Sequence, residues 1–399
     1  MTLGRFNSLR RAFTLLELLV VIIIVAIVTA ISVPAFSALL YTANESQAAN
    51  QLQVALRAAR DAAVRSTPGS DAAAVFFHDP AGRVSVIVCG SVGVLRDVDP
   101  DAPTDQDRFV EREIFVPVAG IEPVTLPRDW MVRGFAPRGS LHSDDLPTGW
   151  YDLGDFGNGY NETATYEVDE GNWIAPETGF YDKDVPDSGK ARQSFMVRFE
   201  GGTGRQNVAD TRPVLVLAPS ESVPLRQQLA LNDPMGKYRV DQATDKARFV
   251  QAVLAAPVPG LGLGGPTKAN ALTLAEKQQI LGDESVDTVL VRPLSQIALF
   301  NVQRMAATIG AKGLNPDTQS LYLPVEPGVG DPFAAYDTSL FDGLPNHQIS
   351  LRIRQWIEDR YLKGPGINPN DREPSDARVF GVRRYDGSII ELTGTKVQS

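Results

Sequence analysis

The 399-residue chain has one cysteine, three histidines and an excess of acid over base. A single cysteine, Cys89, excludes an intrachain disulfide and a thiolate zinc site. Set in "VSVIVCG", it reads as a small apolar residue buried in a strand. His78, His142 and His347 stand far apart, and none lies in an H-E-x-x-H pattern. "GSLHSDD" brings Ser140, His142 and Asp144 together in sequence, but hydrolytic triads assemble from separate segments, and there is no G-x-S-x-G elbow. Gly260, Gly262 and Gly265 have the spacing of a dinucleotide fingerprint; a helical pattern precedes them instead of a strand, and the G-K-[ST] ending of a phosphate loop is missing. With 38 Lys and Arg against 48 Asp and Glu, the formal net charge is −10, which opposes general affinity for nucleic acid. The expectation is a protein that is not an enzyme and carries no cofactor.

What the chain does have is "RRAFTLLELLVVIIIVAIVTAISVPAF", residues 10–36. From Phe13 to Phe36, 24 residues, Glu17 is the only strongly polar side chain, and 16 residues are Leu, Ile, Val or Phe. A bilayer core needs about 20 residues of helix, so the run spans. Arg5, Arg10 and Arg11 precede it with no acid to offset them, which keeps the N-terminus cytoplasmic and sends the rest across. A secretory signal peptide would stop sooner and offer a small-x-small cleavage site; here the run continues into a helical pattern. The 16 large apolar residues favour insertion by roughly 5–10 kcal/mol, against about 2.5–3.5 kcal/mol for an acid at the membrane centre. Insertion therefore survives Glu17, whose carboxylate still gains by finding a positive partner. Pro34 removes a backbone donor and crowds the preceding turn, which predicts a kink or local melting near residues 30–34.

Arg10-Arg11-Ala12 followed by Phe13-Thr14-Leu15-Leu16-Glu17 and an apolar run resembles the class III signal of type IV pilins and type II secretion pseudopilins. The resemblance implies a prepilin peptidase that cuts between Ala12 and Phe13 and methylates the new N-terminus. Removing the first 12 residues leaves 387 and, with three arginines gone, a formal charge of −13. It also gives Glu17 a role, pairing with the methylated ammonium of Phe13 on a neighbouring subunit, and places Pro34 where these families kink the helix. The implied partners are the peptidase, other pilins or pseudopilins, an inner-membrane assembly platform and lipid, with the head periplasmic or extracellular.

"ESQAANQLQVALRAARDAAVRS" continues the helix, with Ala48, Leu52, Ala55, Leu56, Ala59, Ala62 and Ala63 on one stripe. Pro68 and Gly69 end it. A hairpin follows in "AAAVFFHDPAGRVSVIVCG", and further strands are expected in "EREIFVPV", "WMVRGF", "RQSFMVRF", "RPVLVLAP" and "VDTVLVRP". A long helix with "ALRAARDAAVRS" before β-strands resembles the H-type minor pseudopilins over residues 13–136. Helices are expected in "DKARFVQAVLAAP", "LTLAEKQQIL", "LSQIALFNVQRMAATIG" to Gly310, and "HQISLRIRQWIEDRYLKG" to Gly364. A terminal hairpin with Asp386-Gly387 as a two-residue turn closes the chain.

The fold class is thus α+β: a long N-terminal hydrophobic helix, transmembrane then amphipathic, packed on a β-rich head, with an additional α/β elaboration toward the C-terminus. The expected segments are a leader 1–12, a membrane and assembly helix 13–36, its amphipathic continuation 37–66, and a head 67–256. A linker 257–270 and an α/β part 271–399 follow. Residues 141–187 hold 12 acids and one lysine and read as a solvated insertion. Asp152, Asp155 and Asn158 are oxygen ligands of the kind calcium takes, though the EF-hand order is absent. Residues 352–384 carry eight cations and five acids, ending in Arg383 and Arg384. A DNA-binding uptake pilin is therefore one alternative, its basic C-terminal motif only partly matched by Gly381-Val382-Arg383-Arg384; a plain membrane-anchored protein is another. Where the resembled families place glycine before the cut, this chain has Ala12. Ala12→Gly is expected to raise the mature fraction in a pulse-chase, and an unchanged ratio would show that alanine is accepted as fully as glycine.

Overall fold

The computed structural model describes residues 15–79, 83–98, 109–136, 172–174, 195–207, 214–217, 246–258, 271–273, 276–277, 281, 288–316, 319, 321, 336–359 and 375–392. Residues 1–47 and 48–399 form two compact units. Helix α1, Leu15–Arg65, belongs to both and runs unbroken across Pro34.

In the larger unit the predicted stripe is buried: Ala48, Leu52, Ala55, Leu56, Ala59 and Ala63 are inaccessible, and Ala62 is half-buried. Asn50, Arg57, Asp61 and Arg65 stay exposed, so this half of α1 is amphipathic as its spacing requires.

The strands that follow are β1 (Ala72–Asp79), β2 (Arg83–Val98), β3 (Phe109–Pro117), β4 (Val124–Thr125), β5 (Trp130–Ala136), β6 (Asn172–Ile174), β7 (Phe195–Phe199), β8 (Val214–Leu217), β9 (Thr288–Pro293), β10 (Gln296–Asn301), β11 (Arg378–Val382) and β12 (Ile389–Leu392). Six of them close into a barrel, β1-β7-β9-β8-β3-β2 and back to β1, with β4 added on β2. Two ladders of the ring are parallel, β3–β8 and β7–β9; the rest are antiparallel. Closure removes the exposed edges that an open sheet would present. A second, five-stranded sheet runs β12-β11-β10-β5-β6 and is antiparallel throughout.

Alternation along the strands assigns the two faces of the barrel. Ala73, Val75 and Phe77 of β1, Cys89, Phe115, Met196, Val214, Val216 and Val291 make one cluster, contributed by every strand of the ring. Their neighbours in sequence, Ile114, Val116, Leu215 and Leu217, face the other way and pack with Phe249, Val250 and Val253 of α2 (Lys246–Ala255). Both faces of β8 and of the Ile114–Val116 part of β3 are therefore apolar, which is why VLVL and IFV read as continuous hydrophobic runs. A bulge between Ser91 and Gly93 shifts the phase of β2, so that Leu95 joins the outer cluster although Cys89 and Ser91, of the same parity, do not. Lys277 donates to the carbonyls of Leu254 and Ala256, closing the C-terminal end of α2.

The expected composition stands: a long apolar helix, then a β-rich head with mixed α/β content. Its arrangement differs from the expectation in several places. β9, from beyond the Gly- and Pro-rich stretch 257–270, is a member of the ring between β7 and β8, so the later residues complete the head's own sheet. Long-range pairing of this kind leaves no local trace in sequence. "LSQIALFNVQRMAATIG" is not one helix: Gln296–Asn301 is strand, and only Val302–Thr308, α3, is helical. The Asn301 side chain accepts from Arg304 N at 3.0 Å and starts the helix there. Helix α4 is Asn346–Ile357, ending short of Gly364. The turn of the last hairpin takes six residues, Arg383 to Ser388, with Val382 paired to Ile389. Within the acidic stretch 141–187, β6 is a core strand, with Trp173 and Ile174 inaccessible.

Candidate assembly helix and the junction at its end

Every large apolar side chain described between Leu15 and Leu40 is exposed within the unit that holds it, Leu15 at 83%. By length and composition α1 contains a segment able to cross a membrane, none of it buried. A contiguous apolar surface on this scale marks a membrane or protein interaction site. Glu17 lies within α1, Leu15–Arg65. Ala12 and Phe13 lie outside the described residues, as do Asp152, Asp155, Asn158, the three-glycine spacing and the Ser140–His142–Asp144 group. Among the described residues no group of three His, Cys, Asp or Glu is placed to hold a metal ion.

At its other end α1 meets the barrel through a polar cluster. The chain leaves the helix after Arg65, with Ser66 Oγ donating to Ala62 O at 2.8 Å. Asp71 follows, just ahead of β1 and in the parity of Ala73, Val75 and Phe77, so its carboxylate faces the barrel interior. Oδ2 accepts from Arg198 Nε at 2.6 Å and Asn207 Nδ2 at 2.8 Å, while Oδ1 accepts from Gly201 N at 2.9 Å. Arg198 shares the inward parity of Met196, and its Nη2 reaches Glu113 Oε2 at 2.5 Å. The guanidinium lies 5.3 Å from the centre of the Phe115 ring. Ser91 donates to Glu113 Oε1 at 2.6 Å, and Ser70 Oγ donates to Ser91 O at 3.0 Å. Strands β1, β2, β3 and β7 are thus joined at one end of the barrel by a single cluster of two carboxylates and one guanidinium. The Asp71 and Arg198 side chains are only 5% and 6% exposed.

The loop after β7 carries this cluster to the helix. Gly202 N donates at 2.8 Å to Ala63 O, a carbonyl of the last helical turn that also accepts from Ser66 N at 3.0 Å. Gly204, at φ +66°, has room for no side chain: a Cβ would sit 2.5 Å from Val64 Cγ2. On its other side it receives the β11–β12 turn, where a Cβ on Gly387 would come within 2.0 Å of Gly204 O. That turn is held by Arg383 N to Ser388 O, Gly387 N to Arg383 O, and Ser388 N and Oγ to Asp386 Oδ1. The Ser388 bonds, backbone first, hold the Asp386 carboxyl below its ordinary range, with Arg383 and Arg60 adding to the effect.

Among the described residues, the cations of the stretch 352–384 do not form one patch. Arg352 donates to Ile309 O, Arg354 pairs with Glu358, and Arg378 pairs with Glu391 through two nitrogens. Only Arg383 and Arg384 project from the turn, both exposed. Cys89 is buried in β2 as its sequence context predicts, and desolvation pushes its thiol well above the ordinary range.

Sequence reasoning missed the Asp71–Arg198–Glu113 cluster. Its signal was present: a charged residue inside "FMVRF", a strand apolar on both sides, needs a buried partner. Nothing in the sequence says which carboxylates supply it.

Residues 7–33 match the family model for the prokaryotic N-terminal methylation motif. No curated protein and no solved structure matches the chain. The motif, with the long apolar helix it opens, supports a type IV pilin-like subunit, anchored to a membrane by α1, processed by a prepilin peptidase and assembled with other pilins.

Removing Arg198, the one cation of this buried cluster, leaves its two carboxylates uncompensated, at a cost of about 3–5 kcal/mol. Arg198→Gln is therefore expected to lower unfolding stability by an amount of that order in denaturant titration of the full chain in detergent. A change within about 0.5 kcal/mol, the range of surface substitutions, would show that the cluster contributes nothing net.

Proposed function

We propose that this chain is a non-enzymatic minor pilin or pseudopilin of a type IV pilus or type II secretion pseudopilus. It is cut between Ala12 and Phe13, N-methylated on Phe13, and held in the inner membrane with its head on the periplasmic or outer side until a platform draws it into the filament. The observation that carries this reading is the methylation motif at residues 7–33 on a helix whose apolar side chains its own chain leaves exposed. The large head favours a low-copy subunit, because bulky heads crowd a helical lattice. Similarity to the H-type minor pseudopilins belongs to this proposal, as does the absence of any cofactor: the chain acts by binding alone.

The step that assembly needs is neutralisation. A carboxylate at Glu17 and a methylated ammonium on Phe13 of the next subunit are each unfavourable alone in hydrocarbon, and together form a compensated pair. The DNA-uptake reading is weaker, because three of the eight cations that suggested it are engaged within the head. Glu17→Gln keeps the helix apolar and removes the charge. It is expected to leave membrane insertion intact and to reduce recovery in the sheared filament fraction by about tenfold or more, the loss that about 1.4 kcal/mol of pairing produces. Recovery equal to the parent chain would remove the pairing role.

A further inference from the structure

The last turns of α1, the loop after β7 and the β11–β12 turn meet at one end of the head. Gly387 is seated on the carbonyl of Gly204, and Gly204 in turn lies against Arg60 and Val64. Arg57, three residues before Arg60 and seven before Val64, belongs to the same row of the helix. Five arginines from three elements therefore share this surface: Arg57 and Arg60 of α1, Arg205 of the loop, and Arg383 and Arg384 of the turn. Four are exposed and Arg60 is half-buried. Two acids stand among them. Glu200 accepts from Thr203 Oγ1 at 2.8 Å; Asp386 is bound to Ser388 and also attracts Arg383 and Arg60. Asp61 and Arg65, on the adjoining face of α1, offset each other in charge. Five positive charges against two negative leave an excess of cation, on a chain whose formal charge is −10. Among the described residues none of the five makes an ion-pair contact.

The register of the second sheet brings a strongly acidic stretch to the same end. Phe380, Ile297, Gly134 and Ile174 form one cross-strand row through β11, β10, β5 and β6. β5 and β11 run in the same direction, since each is antiparallel to β10. Ala136, where β5 ends, thus lies at the end of the sheet where Val382 enters the turn, two strands or about 10 Å away. Asn172, opposite Ala136, begins β6 one strand further on. The 35 residues between them, 137–171, hold eight acids and one arginine. Both roots of this segment are therefore beside the arginine surface, and a chain of that length reaches well past the ~10–15 Å between them.

We infer that this arginine surface is the docking site of the chain's own acidic segment, residues 137–171, held there by several ion pairs at once. Sheet register and charge complementarity carry the inference, which does not depend on the assembly reading. Tethering keeps the segment at an effective concentration of millimolar order, more than a free acidic partner in dilute solution offers. Nucleic acid or anionic lipid would have to displace it, so the contact screens the surface from other polyanions. Single exposed ion pairs are weak, so the docking needs several together and yields to salt.

The test turns an arginine into a lysine and treats the protein with a water-soluble carbodiimide, which joins a contacting amine and carboxylate as an amide with loss of water. Arg205→Lys and Arg384→Lys are made separately in the full-length chain in detergent. Both positions are exposed and keep their charge, so the head still folds, which circular dichroism checks. Peptide mass spectrometry of the monomer band is expected to show each new lysine linked to an acid between Asp144 and Glu170. Raising salt from about 0.1 M to about 1 M cuts the Debye length from about 10 Å to about 3 Å and is expected to lower that yield at least about fivefold. Links confined to Asp386 or Glu200, a link to a second copy, no link, or a yield indifferent to salt overturns the inference.

Discussion

Apolar surface that a chain cannot cover for itself has to be covered by something else, and in this protein that surface is concentrated on α1. Between Leu15 and Leu40 the large side chains are turned outward all round the helix. Each fully buried side chain of this size gains about 1.5–3 kcal/mol over leaving it in water, so the run finds lipid or other apolar helices before anything else happens to it. On the assembly reading proposed above, Glu17 separates simple residence in lipid from pairing with a neighbour. Past residue 47 the same helix changes character. Small residues, alanines above all, bring its backbone close to the head, and its outer face is charged.

The head meets the opposite requirement, covering its own surface on both sides of a closed sheet. The barrel interior is filled by one parity of residues, the outer face of β3 and β8 by the other together with α2, and a one-residue bulge reverses the parity of β2 where its partner surface changes. At the end of the barrel nearest the helix the filling switches from apolar to ionic. The Asp71–Arg198–Glu113 cluster ties four strands together, and the Gly201–Gly204 loop passes that order to the last turn of α1.

Legibility in the sequence followed the range of the forces involved. The apolar run, the buried alanine–leucine stripe from Ala48 to Ala63 and the strands β1, β2, β3, β5, β7, β8, β9, β11 and β12 are local periodicities, and they lie where the sequence places them. Ring closure through β9 and the pairing of β10 to β5 depend on segments far apart in the chain, which no window reveals. The division of residues 294–310 into strand and helix turned on one capping side chain, Asn301, inside an apolar run that satisfies either period. β6 was hidden because Trp173 and Ile174 sit among acids whose composition outweighed two buried residues. In the candidate site, Glu17 was legible as a charge in the wrong solvent. The partners of Arg198 were not, because burial is a property of the fold.

The central claim is that α1 is an assembly helix released by cleavage, and the intact mass of the N-terminal peptide tests it most directly. The protein is taken from its own host, from membrane and sheared-surface fractions. The account predicts a chain beginning at N-methylated Phe13, 387 residues long once 12 are removed from 399, and present in the sheared fraction. A chain that still begins at Met1 and stays with the membrane would contradict it, leaving α1 as an anchor and nothing more.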